Sequence, residues 1–265
     1  MERERALFIN RQENLSYLSD EYTRVYFGDE FCERLLPSGT VLRDVVDQVT
    51  GQGRDCTFVT PYVTEAGLEK VTSLLPLLPE ATEVVINDWG VLRLLRRDFP
   101  HLVPVLGRLM TKIKRGPRIA AFLDKLPPDA LNHMRSTNLG VPVYQQFLAK
   151  QGITRVELDN PLQGLNLSEI PENIHLSIHI PFAYVSTTRF CLTANVDKPE
   201  KKGMIGVFPC GKECQKYTFF LDNAVMTRLL IRRGNTVFFQ NTDVPNEIRD
   251  SVHIDRVIIS PEIPH

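Results

Sequence analysis

The sequence has no segment that reads as a membrane span, a secretory signal or a charged binding tail. No uncharged apolar run approaches the roughly 20 residues that a transmembrane helix needs. The first residues, MERERALF, lack the basic stretch followed by a longer apolar run that marks a secretory signal. Basic and acidic residues number 31 and 32, so charge alone indicates no strong attraction to nucleic acid or membranes. We therefore expect a cytoplasmic protein without a membrane partner.

Cysteine is scarce, and its count is odd. The five cysteines are Cys32, Cys56, Cys191, Cys210 and Cys214. An odd number of cysteines in a chain of 265 residues without a secretory signal argues against a disulfide framework. Metal binding or catalysis is the better explanation for at least some of these thiols.

Several motifs of well-known enzyme and metal sites are missing. No glycine-rich phosphate loop follows the first clear strand, which disfavours an open doubly wound sheet. Neither H-E-x-x-H nor G-x-S-x-G occurs, so proteolysis by those mechanisms has no support. The paired C-x2-C knuckles of many structural zinc sites are also absent, as is the C-x3-C-x2-C triplet of radical enzymes.

What the sequence does contain is a regular alternation of strand and helix patterns. The predicted strands are Thr23–Gly28, Cys56–Pro61, Thr82–Asn87, Leu102–Gly107, Thr154–Asp159, Ile174–Ile180, Thr236–Asn241 and Asp255–Pro261. Most are apolar on both faces, as in a buried parallel sheet. Helix patterns lie between them, with Ser38 and Thr64 as candidate N-caps and Ala224–Ile231 as the last helix. A further run, Ala6–Asn10, is interpreted as an N-terminal addition.

Eight strands alternating with helices predict an α/β fold, namely a single (β/α)8 TIM-like barrel spanning residues 1–265. An open doubly wound sheet is the alternative. Residues 181–222, after the sixth predicted strand, have little regular pattern and are rich in lysine, proline and cysteine. Long segments of this kind are usually functional or disordered, so we predict a cysteine-bearing insertion here.

The barrel prediction divides the cysteines into two groups, because the active sites of such barrels lie at the carboxyl ends of the strands. Cys32 follows the first predicted strand, and Cys191, Cys210 and Cys214 lie in the insertion. Cys56 begins its strand and so belongs to the opposite face, where we expect a small buried hydrophobe. Four thiols on one face fit a 4Fe–4S cluster, a 2Fe–2S cluster or a structural zinc ion. Unrelated loop cysteines are the remaining alternative.

No catalytic residue is identified, but candidates for the barrel mouth are Asp88, Arg108, Asp159 and Tyr184. Asp88 follows a predicted strand and Asp159 is the last residue of one, and helix capping or loop solvation is their alternative role. Arg108 opens a basic run that suits an anionic substrate, because arginine makes bidentate contacts to carboxylates. Tyr184 lies near Cys191 in sequence. His179 is interpreted as a core histidine, although a thiol–histidine dyad with Cys191 is conceivable.

Four stretches also resemble, in order, motifs of the collagenase-like peptidase family thirty-two (U32). They are VYFGDEFC, EVVINDWGVLRLL, GITRVELDNPLQGLNLSEI and HIPFAYVSTTRFC. Cys210 and Cys214 follow with a similar order and spacing. The resemblance runs from residue 23 to the end of the sequence and is strongest to the short, UbiV-like iron–sulfur members.

This resemblance implies a 4Fe–4S cluster held by Cys32, Cys191, Cys210 and Cys214. It also implies a subunit of an oxygen-independent hydroxylase that acts on a small aromatic molecule or on RNA, together with a UbiU-like sister subunit. The stretch GRLMTKIKRGPRI departs from the family pattern and leaves the substrate undefined. The alternatives are a non-catalytic electron-transfer or structural iron–sulfur or zinc protein, and a collagenase-like peptidase.

Overall fold

The computed structural model describes residues 3–198, 200 and 210–265, and its main element is a closed barrel of eight parallel strands. In chain order these are β1 (Glu4–Ile9), β2 (Arg24–Gly28), β3 (Asp55–Val59), β4 (Glu83–Ile86), β5 (Val103–Leu106), β6 (Arg155–Asp159), β7 (His175–Ile180) and β12 (Ile254–Ile259). The barrel closes where β1 pairs in parallel with both β2 and β12. The predicted (β/α)8 barrel is confirmed.

One member of the predicted barrel was assigned wrongly. The run Ala6–Asn10 is not an addition, because β1 contains most of it and is a full barrel strand. Thr236–Asn241 is a strand, but it belongs to a second sheet. Residues 6–9 are all buried, as expected for a strand covered on both faces.

The second sheet is antiparallel and is built entirely from the chain between β7 and β12. Its strands are β8 (Phe182–Thr187), β9 (Thr218–Leu221), β10 (Leu230–Arg233) and β11 (Thr236–Gln240), in the order β8-β11-β10-β9. The excursion begins after Ile180, where the insertion was predicted, but this strand is the seventh of the barrel because β1 is counted first. The excursion also continues past residue 222. The predicted helix over Ala224–Ile231 is wrong, because Leu230 and Ile231 begin β10. Residues 199 and 201–209 of the predicted insertion lie outside the described residues.

Helices follow the early barrel strands. They are α1 (Gly39–Thr50), α2 (Glu65–Leu74), α3 (Trp89–Asp98), α4 (Pro128–Arg135), α5 (Pro142–Lys150) and α6 (Asn246–Arg249). Short 3-10 helices cover Gln12–Tyr17, Glu33–Leu35, Leu75–Leu77, Pro117–Ala121, Leu123–Lys125, Asn138–Gly140 and Glu213–Gln215. Ser38 and Thr64 cap α1 and α2 as predicted, since each side chain accepts a backbone N–H of the first turn. Among the described residues, no helix combines the length and the apolar character needed to cross a membrane.

Side chains alternate between the barrel interior and the helix-covered outside, as the pleat of a strand requires. The outward residues join the helices in one large core, whereas a small inner layer is formed by Ala6, Phe8, Tyr26, Val59, Val85, Val105 and Ile258. At the amino ends of the strands, Arg256 contacts Glu4, Glu83 and the Tyr26 hydroxyl. Because the interior is filled in this way, space for chemistry remains at the carboxyl ends.

Candidate functional site

The loop that carries Cys32 leaves β2 through a glycine and an aspartate. Gly28 has a φ of +139°, and a Cβ atom there would lie 2.1 Å from the carbonyl oxygen of Val59. The Asp29 carboxylate then accepts the backbone N–H groups of Phe31 at 2.8 Å and of Cys32 at 2.6 Å. The sequence Gly-Asp therefore folds the chain sharply at the carboxyl end of β2 and sets the position of Cys32.

The other three predicted cysteines come from the excursion after β7. Cys191 follows β8, while Cys210 and Cys214 precede β9. The backbone N–H of Lys212 donates to the Cys210 sulfur at 3.2 Å, which curls the short segment between these two cysteines. Glu213 supports the same turn, because its buried carboxylate accepts the N–H of Gly211 and pairs with Lys198.

All four of these cysteines line one small cavity of ≈ 30 Å³. The other residues around it are Arg34, Leu35, Arg189, Lys212, Gly234, Asn235 and His265. The four thiols are free, and three of the surrounding side chains are cationic. Cys56, in contrast, lies near the amino end of β3 and is buried in the large core between the strands and the helices. This matches the small buried hydrophobe that was predicted at this position. The donor set and its charge surroundings fit a centre ligated by four thiolates.

Three thiols of this site have raised pKa values. Burial, together with the charge of the Asp29 carboxylate, raises the pKa of Cys32 and of Cys214 to about 12. Burial also raises the pKa of Cys210. Because metals bind thiolate rather than thiol, occupation of this site must release protons.

Asn235, in the turn between β10 and β11, connects the cysteine-bearing segments. Its side-chain amide donates to the carbonyl oxygens of Phe31 at 2.8 Å and Thr188 at 2.6 Å, and to the Tyr62 hydroxyl at 2.8 Å. The Tyr62 hydroxyl donates in turn to the Thr188 carbonyl at 2.7 Å. The second sheet thereby holds the Cys32 loop against the chain that leads to Cys191.

His265 belongs to the site and was not predicted from the sequence. It is 1% exposed, and its ring packs between Phe31 and Phe238, with centroid distances of 5.5 and 6.3 Å. Its Nδ1 atom lies 3.4 Å from an Asp29 carboxylate oxygen. One feature of the sequence could have identified it: His265 follows the last barrel strand, and residues after the carboxyl ends of the strands lie at the face where barrel sites form.

A larger cavity of ≈ 350 Å³ adjoins the cysteine cavity. Residues that line both are Cys32, Arg34, Arg189 and Asn235. The rest of its wall consists of Phe31, Glu33, Tyr62, Thr64 and Ala66. Its volume falls in the range of about 300–1,000 Å³ that is usual for small-molecule sites. A ligand-sized space therefore lies directly beside Cys32.

Of the four predicted mouth residues, Arg108, Asp159 and Tyr184 lie in one buried network. The fully buried Arg108 guanidinium contacts Glu30 at 2.6 Å, Asp159 at 2.9 Å and the carbonyl oxygen of Phe182 at 2.8 Å. Tyr184 joins through its backbone N–H, which donates to Asp159, and through its hydroxyl, which donates to the Arg108 carbonyl. The guanidinium is thus occupied by protein acceptors rather than directed at a substrate.

Asp88 has the alternative role of a helix cap. One carboxylate oxygen accepts the backbone N–H of Gly90 at 2.6 Å, and the other faces the N–H of Val63 at 3.3 Å. It therefore caps α3 and holds the loop after β3.

Deeper in the barrel, Glu157 and His179 form a buried pair. His179 Nε2 lies 3.0 Å from a Glu157 carboxyl oxygen. Burial raises the pKa of Glu157 to about 8 and lowers the pKa of His179 to about 3. At neutral pH the pair is therefore uncharged, with the Glu157 acid donating to the imidazole. This agrees with the interpretation of His179 as a core histidine.

No family model matches the chain, and no curated protein matches it in sequence. Among solved structures, the chain is similar to the U32 peptidase Mk0906, with a TM-score of 0.48 and 14% identity over 100% of this chain and 95% of that one. It is also similar to a glycoside hydrolase family 18 N-acetylglucosaminidase from Paenibacillus barengoltzii, with a TM-score of 0.35 and 9% identity over 97% and 94%. Mk0906 bears the name of the family that the sequence motifs resemble. Neither of these two similarities indicates the activity of this chain.

Proposed function

We propose that this protein binds a 4Fe–4S cluster through Cys32, Cys191, Cys210 and Cys214 and acts as a redox enzyme or as a subunit of one. The observation that carries the proposal is that these four cysteines, which come from separate segments, line a single cavity. A cluster of this type supplies one-electron transfer. The cationic side chains of Arg34, Arg189 and Lys212 would offset the negative charge that four thiolates bring.

A catalytic role is favoured over simple electron transfer by the cavity beside Cys32. Phe31 and Ala66 give this cavity apolar walls, whereas the Tyr62 hydroxyl, Asn235 and Arg189 supply polar groups. Such walls suit a flat aromatic ring that carries a polar substituent, which describes both a phenol and a nucleobase. A protein that only relays electrons has no need for a ligand-sized space next to its cofactor.

The finer assignment comes from the sequence motifs alone. We propose that the protein acts as a UbiV-like subunit of an oxygen-independent hydroxylation system. It would work together with a UbiU-like sister subunit in the cytoplasm. A peptidase role has less support, because His179 bonds to Glu157 inside the barrel rather than to a thiol. A structural zinc site remains the principal alternative for the four cysteines, since zinc also accepts four thiolates.

Metal analysis of anaerobically purified protein tests the cluster directly. We expect about four irons and four sulfides per chain, with a broad visible absorption band. Replacement of any one of Cys32, Cys191, Cys210 or Cys214 by serine should lower the iron content. Cys56→Ser is the matched control and should retain the full content. A colourless protein that holds one zinc ion would contradict the proposal.

The catalytic role is tested by ligand binding to the reduced protein. Phenol and adenosine serve as probes of the two aromatic classes, and the readout is the electron paramagnetic resonance spectrum of the cluster. We expect one probe to perturb the spectrum of the wild type but not that of Ala66→Trp, in which a large ring fills the cavity. If neither probe has an effect at millimolar concentration, the electron-transfer alternative is favoured.

A further inference from the structure

The His265 ring lies near Asp29 on one side and near Gly234 on the other, and it lines the cavity of the four cysteines. Among the described residues, both of its ring nitrogens are buried and lack a hydrogen-bond partner. A Cβ atom placed on Gly234 would lie 3.3 Å from Cys214 Cβ and 3.4 Å from His265 Nε2, so both side chains border the same glycine. Nδ1 points the other way, toward Asp29. A buried imidazole with unsatisfied nitrogens requires an explanation.

Asp29 holds the imidazole and the Cys32 loop with the same carboxylate. One of its oxygens accepts the backbone N–H groups of Phe31 and Cys32, and the other faces His265 Nδ1. The aromatic rings of Phe31 and Phe238 restrict the remaining freedom of the imidazole ring. The ring is thus oriented before any cofactor binds, with Nε2 on the side of Cys214.

We propose that His265 donates a hydrogen bond from Nε2 to a sulfur of the cysteine site and thereby raises the reduction potential of the cluster held there. The inference rests on the proposed function, and it adds a residue that the ligand set does not include. Four cysteines already supply the four ligands that such a cluster takes. A lone pair on Nε2 directed at thiolate sulfur, or on Nδ1 directed at the Asp29 carboxylate, would bring two acceptors together. Both nitrogens are therefore best satisfied as donors, which is the imidazolium form of the ring.

The expected consequence follows from charge. One-electron reduction makes the cluster and its sulfur atoms more negative, so a hydrogen bond to sulfur stabilises the reduced state more than the oxidised state. Loss of the donor should therefore shift the midpoint potential to a more negative value. Asp29 acts as a positioning residue, because it orients the imidazole without facing the sulfur itself.

Two substitutions separate hydrogen-bond donation from mere filling of space. His265→Leu retains a side chain of moderate size without a donor, whereas His265→Gln places an amide N–H near the position of Nε2. His175→Leu is the matched control, since His175 is an exposed histidine at the amino end of β7, the opposite end of the barrel. Each protein is purified anaerobically, its iron and sulfide are measured, and its midpoint potential is determined by a titration followed by electron paramagnetic resonance.

We expect wild-type iron content in all three variants, a more negative potential in His265→Leu, and an intermediate value in His265→Gln. An unchanged potential in His265→Leu would overturn the inference, because His265 would then be only a wall of the cavity. Loss of iron from both His265 variants, with His175→Leu intact, would also overturn it and would make His265 an iron ligand. Absence of iron from the wild type would instead refute the proposed function itself.

Discussion

Arg108 and Glu30 form an ion pair in which both side chains are completely buried, with 2.6 Å between Nη2 and Oε2. Asp159 accepts a second guanidinium bond and also pairs with Arg115 at 3.0 Å. The network therefore contains two cations and two carboxylates, and its charges balance. It joins the carboxyl ends of β5 and β6 to the loop that carries Cys32, so the stability of the barrel mouth depends on it.

Removal of one partner from this network should be costly. We expect Arg108→Ala to lower the free energy of unfolding by about 3–5 kcal/mol, because it leaves the buried Glu30 carboxylate without a counter-charge. Urea denaturation measures the change. The control is Arg97→Ala, which removes an exposed pair with Asp98 and should have little measurable effect. Equal stability of the two variants would show that the Arg108 network does not stabilise the fold.

The Glu157–His179 pair predicts an unusual dependence of stability on pH. The pKa of Glu157 is raised from 4.5 to about 8, so its contribution to stability is full below pH 4.5 and is lost as the pH rises toward 8. The pKa of His179 is lowered from 6.5 to about 3, so its contribution is lost as the pH falls from 6.5. The two effects oppose each other between pH 4.5 and 6.5, and only the Glu157 effect remains above that range.

Glu157→Gln should abolish the loss of stability above pH 6.5. In the wild type, unfolding in urea should become easier by roughly 2 kcal/mol between pH 6.5 and pH 8, since one pKa unit corresponds to about 1.4 kcal/mol. The amide cannot ionise, so the variant should show a much smaller difference. The exposed Glu65 provides the control, because Glu65→Gln should keep the wild-type dependence. A Glu157→Gln protein that still loses this stability would contradict the assignment.

Gly28 should not tolerate a side chain. The Cβ atom of Gly28→Ala would lie 2.1 Å from the Val59 carbonyl oxygen, in a backbone conformation with a φ of +139°. We expect a loss of more than about 2 kcal/mol in unfolding free energy, together with reduced iron binding because the Cys32 loop is displaced. Gly53 also has a positive φ, but no atom lies within 4 Å of its Cβ position. Gly53→Ala should therefore cost only about 1–2 kcal/mol and leave the iron content unchanged.

Asn235 should be needed for assembly of the cysteine site. Asn235→Ala removes the amide that bonds to Phe31, Tyr62 and Thr188, and it leaves the Phe31 carbonyl oxygen unsatisfied at a cost of about 1–3 kcal/mol. We expect lower iron content after anaerobic purification, because the Cys32 loop loses its bond to the second sheet. Asn223→Ala, at an exposed position, is the control. Full iron content in Asn235→Ala would show that the cysteine loops do not require this connection.

The barrel was predictable because its signals are local. Each β-branched run between polar turns predicts a strand from its own residues, and the alternation of strands with helices then limits the possible folds to a few. The error concerned β1 and β11, which have similar apolar patterns over short lengths. Whether such a run pairs in parallel within the barrel or antiparallel outside it depends on partners far along the chain, and the pattern of one strand does not contain that information.

Local sequence patterns were enough to predict the barrel and, through the position of each thiol relative to its strand, to separate Cys56 from the other four cysteines. Three features became known from the folded chain: Arg108 is neutralised by Glu30 and Asp159, Asp88 is a helix cap, and His265 lines the cysteine cavity. Secondary structure and strand polarity follow from neighbouring residues, whereas the partners of a buried charge or imidazole are selected by packing between segments that are distant in the chain.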